Sequence, residues 1–463
     1  MVFSSAIFLL LFLPVVFIVN LFCRKDISNI WLLLASLVFY AWGEPYLVLL
    51  MIFSIILNWF IGRKIDKNSG SKKKVLLIVG VTIDLLFLGY YKYAGFFVSV
   101  INKILHLGLP VPNITLPIGI SFFTFQAISY IVDVYRGDTE SSDKLVNVAL
   151  YISFFPQLIA GPIVKYRDIN KQIEDRSISW ENVSVGFKRF IYGLAKKVLI
   201  SNVLGMCVDT IYSYDLSIID TKAAWIFALA YTFQIYYDFS GYSDMAIGLG
   251  KMFGFDILEN FNYPYLSKSI SEFWRRWHMS LGSWFREYVY IPLGGNRKGK
   301  LRTNINLAIV FLLTGLWHGA GYAYILWGIY HGFFSIIERL GLKKILDKNK
   351  IISMIYCFII VNFGWVLFRT ANIGTAFQYI VRMLIPWKYS TGISVFNYLS
   401  YKTIFVGICA VIGAGVMKVL VPKGLAEKWN DSVIEAIYCI VLLILCLASI
   451  ASNTYNPFIY FQF

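Results

Sequence analysis

The sequence predicts an all-α protein, a polytopic bundle of membrane helices that forms one domain over residues 1–463. Of its residues, 58% are hydrophobic and only 15% are charged, whereas soluble domains are roughly 45–50% apolar and about 25% charged. Aromatic residues alone make up 18%, which excludes a disordered chain. The formal net charge is nevertheless +16, and an apolar chain with a basic surplus is typical of membrane proteins whose loops face an anionic leaflet or substrate.

Transmembrane helices need about 20 apolar residues each, and apolar segments follow one another along the whole chain. These segments are 3–22, 29–42, 46–62, 75–91, 117–134, 145–162, 186–212, 223–250, 304–318, 321–337, 351–370, 402–420 and 434–452. Because several are short or interrupted, we expect about 11 transmembrane helices plus re-entrant and interfacial helices. Arg24 and Lys25 follow the first segment, so we expect it to be retained as a span with its N-terminus outside.

Basic residues are concentrated in three windows between the apolar segments. Residues 63–74, 268–302 and 338–350 carry net charges of +5, +6 and +3. The positive-inside rule places all three on the cytoplasmic side. Charge concentrated in this way indicates a role in topology and in contact with a phosphate-bearing ligand, and we expect no nucleic-acid partner.

The cysteines predict neither a metal site nor a disulfide framework. All six lie in or beside apolar segments and none forms a CxxC pair. We therefore expect buried free thiols and no metal.

A first aromatic stretch, residues 269–297, predicts an amphipathic helix lying in the membrane interface. Ser269 followed by Glu272 is a capping-box start. The apolar face of this helix consists of Trp274, Trp277, His278, Leu281, Trp284, Phe285 and Tyr288. Arg275 and Arg286 are eleven residues apart, about three turns, so they would share another face and offer guanidinium groups to phosphates. The alternative is an aromatic belt with snorkelling arginines.

A second aromatic stretch, residues 304–332, predicts a helical hairpin that enters and leaves from the cytoplasm. Fourteen residues separate its start from His318, which places this histidine about 21 Å into the bilayer. An ionisable residue at that depth is a candidate functional group, and histidine suits proton transfer near neutral pH. The alternative is a neutral histidine that joins helices through hydrogen bonds. His331 lies at another depth, where a structural role is equally consistent.

Asp238 and Asp244 interrupt the apolar segment 223–250. Carboxylates within a span are costly unless they pair or line a wet cavity. They would either orient a histidine or anchor the arginines of the first aromatic stretch, and both alternatives stay open.

Three strings carry a resemblance to a known family: YDFSGYSDMAIGLG (237–250), EFWRRWHMSLGSWFREYVYIPLGGNR (272–297) and GLWHGAGYAYILWGIYHG (315–332). They resemble the membrane-bound O-acyltransferase family. Further similarity at 121–137, 154–163 and both ends extends the resemblance over nearly the whole chain. Among family members, the chain is most similar to bacterial proteins that acetylate alginate and related polysaccharides, with the D-alanyl transfer proteins of teichoic acid as the alternative.

The resemblance implies a helical membrane enzyme that uses His318 as its catalytic histidine and His278 as a second, supporting one. It implies acetyl transfer from a cytoplasmic donor, acetyl-CoA, with no resident cofactor, at the bacterial plasma membrane. The predicted donor-binding residues are Arg275, Arg276 and Arg286, and the supporting polar residues are Asp238, Asp244 and His331. The expected partners are membrane lipids and an extracytoplasmic acetyltransferase. A transporter without chemistry is the alternative from a different class.

The final residues, 457–463, resemble an aromatic tyrosine motif on small partner proteins of D-alanylation systems. By that resemblance Tyr460 would relay the acyl group. The alternative is an aromatic anchor in the membrane interface.

Overall fold

A computed structural model describes residues 1–389, 398–422, 429, 431–452, 455–457 and 459. Within these residues the chain is helical and forms no strand. The predicted all-α class is therefore confirmed.

The helices of the first part of the chain are short to medium in length and follow one another closely. They are α1 (Leu13–Phe22), α2 (Lys25–Ala41), α3 (Val48–Asp66), α4 (Gly70–Leu88), α5 (Ala94–Leu105), α6 (Ile120–Arg136), α7 (Leu145–Ser153), α8 (Phe155–Leu158), α9 (Tyr166–Glu174) and α10 (Trp180–Ala195).

The second part contains the longest helix of the described residues and most of the aromatic side chains singled out above. Its helices are α11 (Asn202–Tyr212), α12 (Thr221–Met252), α13 (Ile270–Arg276), α14 (Met279–Phe285), α15 (Gly299–His318), α16 (Tyr322–Ile337), α17 (Lys343–Leu346), α18 (Lys350–Thr370), α19 (Ile373–Leu384), α20 (Tyr401–Val411), α21 (Met417–Leu420) and α22 (Val433–Ser452).

Several of these helices are extended or joined by π-helical turns, in which one extra residue enters the hydrogen-bond ladder. The π-helical turns are Phe8–Phe12, Gly89–Tyr93, Lys196–Ser201, Arg286–Tyr290, Glu338–Leu342 and Ile412–Val416.

The chain is a multi-pass membrane protein. Among the described residues, six helical stretches are long and apolar enough to cross a membrane. They are Val48–Asp66, Gly70–Leu105, Trp180–Tyr212, Lys350–Thr370, Tyr401–Leu420 and Val433–Ser452. Phe8–Phe22 and Ile27–Ala41 are shorter apolar helices. The expected number of about 11 spans remains a prediction.

Helix packing divides the chain into two compact units. The first comprises Met1–Phe190 and Ser243–Leu258, and the second comprises Ile191–Tyr242 and Glu259–Phe463. The single domain expected from the sequence stays a prediction. In the first unit α3 packs against α6, where Gly62 leaves room for the ring of Tyr130.

The second unit is built around a core of aromatic side chains and the hairpin formed by α15 and α16. Trp277, Trp327 and Trp365 are almost completely buried. The two arms of the hairpin touch backbone to backbone at Gly315 and Gly328. A Cβ on Gly328 would overlap the carbonyl oxygen of Phe311, so this approach requires glycine.

Candidate functional site

His318 is the last residue of α15, at the tip of the hairpin. The helix begins at Gly299, so its 20 residues rise about 28 Å from the basic end of the hairpin to His318. The side chain is 4% exposed. The structure therefore contains the predicted hairpin, with a buried histidine at its tip. The depth of His318 in the bilayer stays a prediction.

Aromatic rings surround the imidazole of His318 edge-on. The ring centroids of Trp317, Trp327 and Phe368 lie 4.9, 5.0 and 5.2 Å from that of His318. These rings exclude water and lower the local dielectric, which strengthens any electrostatic interaction made there.

His278 lies between α13 and α14 with a left-handed backbone, at φ +46°. That conformation is uncommon for a residue with a side chain and persists only where surrounding contacts hold it. Asn260, which is completely buried, provides these contacts: its side-chain oxygen lies 3.2 Å from Nδ1 of His278, and its carbonyl accepts a hydrogen bond from Met279.

The kink at His278 corrects one sequence prediction. The amphipathic helix predicted within residues 269–297 is instead two short helices, α13 and α14, followed by the π-helical turn Arg286–Tyr290. The predicted N-cap is present, since the side chain of Ser269 accepts from the backbone N–H of Glu272. Arg275 and Arg286 thus lie on different helices, and their spacing in the sequence does not put them on one helical face.

Trp317 connects the two histidines. Its ring centroid lies 5.8 Å from that of His278 and 4.9 Å from that of His318. The two histidines predicted to act together are therefore neighbours across one indole ring.

A cavity of about 750 Å³ leads toward this pair from the basic residues. Its inner wall includes His278 and Thr314, both of which are buried. Thr314 precedes His318 by one turn of α15 and lies on the same helix face. His318 itself does not line the cavity; of the α15 residues that do, Thr314 is the nearest to it, about 6 Å away along the helix axis.

Cationic side chains from three segments line the outer part of the cavity. They are Arg275, Arg286, Arg339 and Lys343, and all four are exposed. The carboxylate of Glu338 also lines the cavity, but it accepts hydrogen bonds from the backbone N–H groups of Ile270 and Ser271. The mouth of the cavity is therefore positively charged.

Of the three arginines predicted to bind the donor, two line the cavity and one does not. Arg276 forms an ion pair with Glu272 at 2.6 Å and is absent from the lining. Arg275 and Arg286 line it from different elements. Arg339 and Lys343, which the sequence analysis placed only in a basic window, join them.

His331 is completely buried beside the same aromatic core. The rings of Trp274 and Trp327 lie 5.2 and 5.0 Å from it, and Gly364 leaves space for its Nε2 atom. Neither ring nitrogen has a hydrogen-bond partner within the described part of the chain. Its packing fills space between helices, and its supporting role stays a prediction.

The two carboxylates of α12 pair with cations that the sequence analysis did not consider. Asp238 forms an ion pair with Lys197 at 2.5 Å, and Asp244 forms one with Arg189 at 2.6 Å. Within the described residues, Asp238 contacts neither a histidine nor the arginines of the first aromatic stretch. Tyr460, the predicted acyl relay, lies outside the described residues.

Burial keeps His278 neutral. Desolvation lowers the pKa of its imidazole to about 3, because a charged ring would lose its hydration there. A neutral imidazole keeps one nitrogen as a donor and the other as an acceptor.

Sequence reasoning missed Asn260 and Lys197. Asn260 lies in a polar loop that offers no recognisable motif. Lys197 did carry a signal, because it is a cation within the apolar segment 186–212.

Comparisons with known proteins agree with the geometry. The profile of the membrane-bound O-acyltransferase family matches residues 140–378. The probable alginate O-acetylase AlgI of Pseudomonas putida is 40% identical over the whole of both chains. The protein of the same name from Pseudomonas aeruginosa is 45% identical over 82% of this chain and 74% of its own. The peptidoglycan O-acetyltransferase of Helicobacter pylori is 37% identical over 83% and 80%.

Proposed function

The chain belongs to the membrane-bound O-acyltransferase family, and we propose that it moves an acetyl group from cytoplasmic acetyl-CoA to an extracytoplasmic polysaccharide, with His318 as general base. That the enzyme is an O-acyltransferase follows from the family. A polysaccharide acceptor is supported by the names of the relatives, which are acetylases of alginate and of peptidoglycan.

One observation carries the proposal: a single cavity is lined both by exposed cations and by Thr314, which lies one helical turn from His318. Phosphates bind guanidinium groups through charge-assisted, bidentate hydrogen bonds. Arg275, Arg286 and Arg339 would bind the phosphates of the donor, and the thioester would then point inward. Because the mouth belongs to the basic windows, the positive-inside rule favours entry from the cytoplasm.

The inner wall suits the rest of such a donor. Trp274, Leu307 and Phe311 line the cavity between its mouth and Thr314. Apolar and aromatic walls with few polar groups are typical of small-molecule sites. An uncharged acyl-bearing arm would lie along these side chains.

The chemistry needs one proton acceptor at the inner end. His318 would take the proton from an acceptor hydroxyl as its oxygen attacks the thioester carbonyl carbon. The carbon–oxygen bond of the new ester forms and the carbon–sulfur bond of the thioester breaks. His318 then returns the proton to the thiolate, which leaves as the free thiol. The aromatic enclosure would exclude water and so protect the thioester from hydrolysis.

His278 would support this step from the other face of Trp317. Its ring stays neutral and its Nδ1 is held by Asn260, so the imidazole offers a fixed hydrogen-bonding edge at the floor of the cavity. Asp238, Asp244 and His331 would maintain the helices around the site.

The later transfer would take place outside the cytoplasm. Tyr460 would carry the acetyl group as an ester to an extracytoplasmic acetyltransferase partner, which would select the polysaccharide. The enzyme would lie in the bacterial plasma membrane among its lipids. Replacing Tyr460 by Phe keeps an aromatic anchor and removes the hydroxyl, so full acetylation by that variant would exclude the relay.

Turnover of radiolabelled acetyl-CoA by the purified protein tests the catalytic assignment. We expect His318→Ala to lower the rate of acetyl transfer by about 10³-fold or more, because removal of the general base and of its local contacts acts directly on the transition state. The elution volume and melting temperature in detergent should stay near those of the native protein.

His106→Asn is the matched control. His106 is exposed and has a left-handed backbone at φ +54°, which asparagine tolerates, so its removal should leave the rate unchanged. Undiminished transfer by a folded His318→Ala variant would refute the assignment. Turnover of a D-alanyl donor in place of acetyl-CoA would instead favour the D-alanyl alternative.

A further inference from the structure

Lys197 and Asp238 form a charged pair in the interior of the second unit. Lys197 lies in the π-helical turn after α10, and Asp238 lies in the middle of α12. Their side chains are 3% and 1% exposed. Burying both charges is costly, so such a pair persists where further hydrogen bonds satisfy it or where it has a function.

The pair is completed by the chain's own C-terminal segment, of which the structure describes residues 455–457 and 459. The Nζ atom of Lys197 donates to the carbonyl oxygen of Pro457 as well as to Asp238. The second carboxylate oxygen of Asp238 accepts from the backbone N–H of Ile459 at 3.0 Å. The cation therefore binds a carbonyl of the segment and the anion binds an amide two residues later.

Tyr455 anchors the same segment at a second point. Its hydroxyl donates to Asp209 at 2.5 Å, and the other oxygen of Asp209 pairs with Arg369 at 2.6 Å. The side chain of Asn202 donates to the carbonyl of Tyr455 at 3.3 Å. The Asp209–Arg369 pair thus binds the segment through the side chain of Tyr455, whereas the Lys197–Asp238 pair binds it through its backbone.

This second anchor is connected through α18 to an aromatic side chain that contacts His318. Arg369 directly follows Phe368 in α18, and the ring of Phe368 lies 5.2 Å from that of His318. In α18, therefore, the residue that pairs with Asp209 directly follows one whose ring contacts His318.

We propose that the pairs Lys197–Asp238 and Asp209–Arg369 form a binding site for the chain's own C-terminal segment and fix that segment within the unit that contains His318. Lys197, Asp238 and Asp209 are positioning residues in this assignment. Their consequence for acetyl transfer rests on the proposed function, because Tyr460 directly follows Ile459. The binding of the segment itself does not depend on that function.

Hydrogen–deuterium exchange of the full-length protein in detergent, followed by mass spectrometry, tests the assignment. In the native protein the Ile459 amide should exchange at least about tenfold more slowly than in a free peptide of residues 453–463. Asp238→Asn and Tyr455→Phe should each remove most of this protection. Tyr455→Phe changes only the segment and leaves every membrane helix intact, so it serves where Asp238→Asn fails to fold.

Tyr330→Phe is the matched control, since it loses a buried hydrogen bond to Ile360 in the same unit without touching the segment. It should leave exchange at Ile459 unchanged, and peptides of α15 and α16 should stay protected in every variant that is compared. Free-peptide exchange at Ile459 in the native protein would overturn the proposal, as would full protection in folded Tyr455→Phe. Because the measurement does not use activity, its failure is distinguishable from failure of acetyl transfer.

Discussion

The mouth of the cavity and the binding site of the C-terminal segment both concentrate charged side chains, but the charges have different surroundings. The binding site, here called the seat, consists of the pairs Lys197–Asp238 and Asp209–Arg369. At the mouth, Arg275, Arg286 and Arg339 are exposed and form no ion pair within the part of the chain that the structure describes. At the seat, Lys197 and Asp238 are buried and paired. The mouth therefore keeps its charge for a ligand, whereas the seat uses its charge on the protein itself.

The two regions differ because a charged side chain keeps its hydration at the surface and loses it in the interior. Exposed charges are hydrated and contribute little to stability, about 0–1 kcal/mol even when paired. Buried charges lose their hydration, and removal of one partner leaves the other uncompensated. Substitutions at the mouth should consequently affect donor binding, and substitutions at the seat should affect stability.

The largest effect is expected from breaking the buried pair. Lys197→Ala leaves the Asp238 carboxylate without its cation and should destabilise the protein by about 3–5 kcal/mol. We expect the melting temperature in detergent to fall by roughly 3–5 °C. Lys197→Met combined with Asp238→Leu should recover much of the loss, because no unpaired charge remains.

Lys343→Ala provides the contrast at the mouth. Lys343 and its ion-pair partner Asp347 are both exposed. The loss of stability should therefore stay below about 1 kcal/mol. A Lys197→Ala variant that melts within about 2 °C of the native protein would contradict the distinction between the two regions.

A smaller effect is expected at the floor of the cavity, where His278 is buried although the mouth is open. Its folded pKa is lowered to about 3, so between pH 3 and 6.5 the unfolded chain binds a proton that the folded chain does not. The stabilisation is complete above about pH 6.5 and declines as the pH falls. At pH 5 the loss should reach about 2 kcal/mol.

Melting temperatures at pH 7.5 and pH 5 measure this loss, and His278→Asn isolates it. Asparagine tolerates the left-handed backbone at this position and does not titrate. An equal fall in melting temperature for the native protein and His278→Asn would show that other groups cause the pH dependence.

The smallest effect in free energy is expected at the mouth itself. Arg275→Gln and Arg286→Gln should each raise the KM for acetyl-CoA roughly tenfold, or about 1.4 kcal/mol, because each removes a charge-assisted contact to phosphate. The kcat and the melting temperature should change little, and the dependence of KM on salt should weaken.

Arg297→Gln is the control for this prediction. Arg297 is an exposed cation of the same basic window that does not line the cavity. A rise in KM as large as that of Arg286→Gln would indicate a general field of positive charge and would contradict specific phosphate contacts.

Local signals in the sequence predicted much of the site because each depends on neighbouring residues. The capping box at Ser269 and the hairpin that carries His318 are both present. The helix expected to continue through His278 is broken, because buried Asn260 holds a left-handed backbone there. Helical periodicity cannot detect a break imposed by a side chain 18 positions earlier in the chain.

The sequence by itself determined the helical membrane class and the basic windows, since composition and charge depend only on local residues. The depth of His318 in the bilayer stays a prediction. Only the tertiary structure decided which charges pair. It joined Asp238 to Lys197, 41 positions away. It also joined Lys197 to Pro457 and Asp238 to Ile459, near the other end of the chain. It also gathered Arg275, Arg286 and Arg339 around one cavity. Burial decides these pairs, because a charged side chain removed from water needs an opposite charge nearby. Which opposite charge lies nearby depends on how the helices pack.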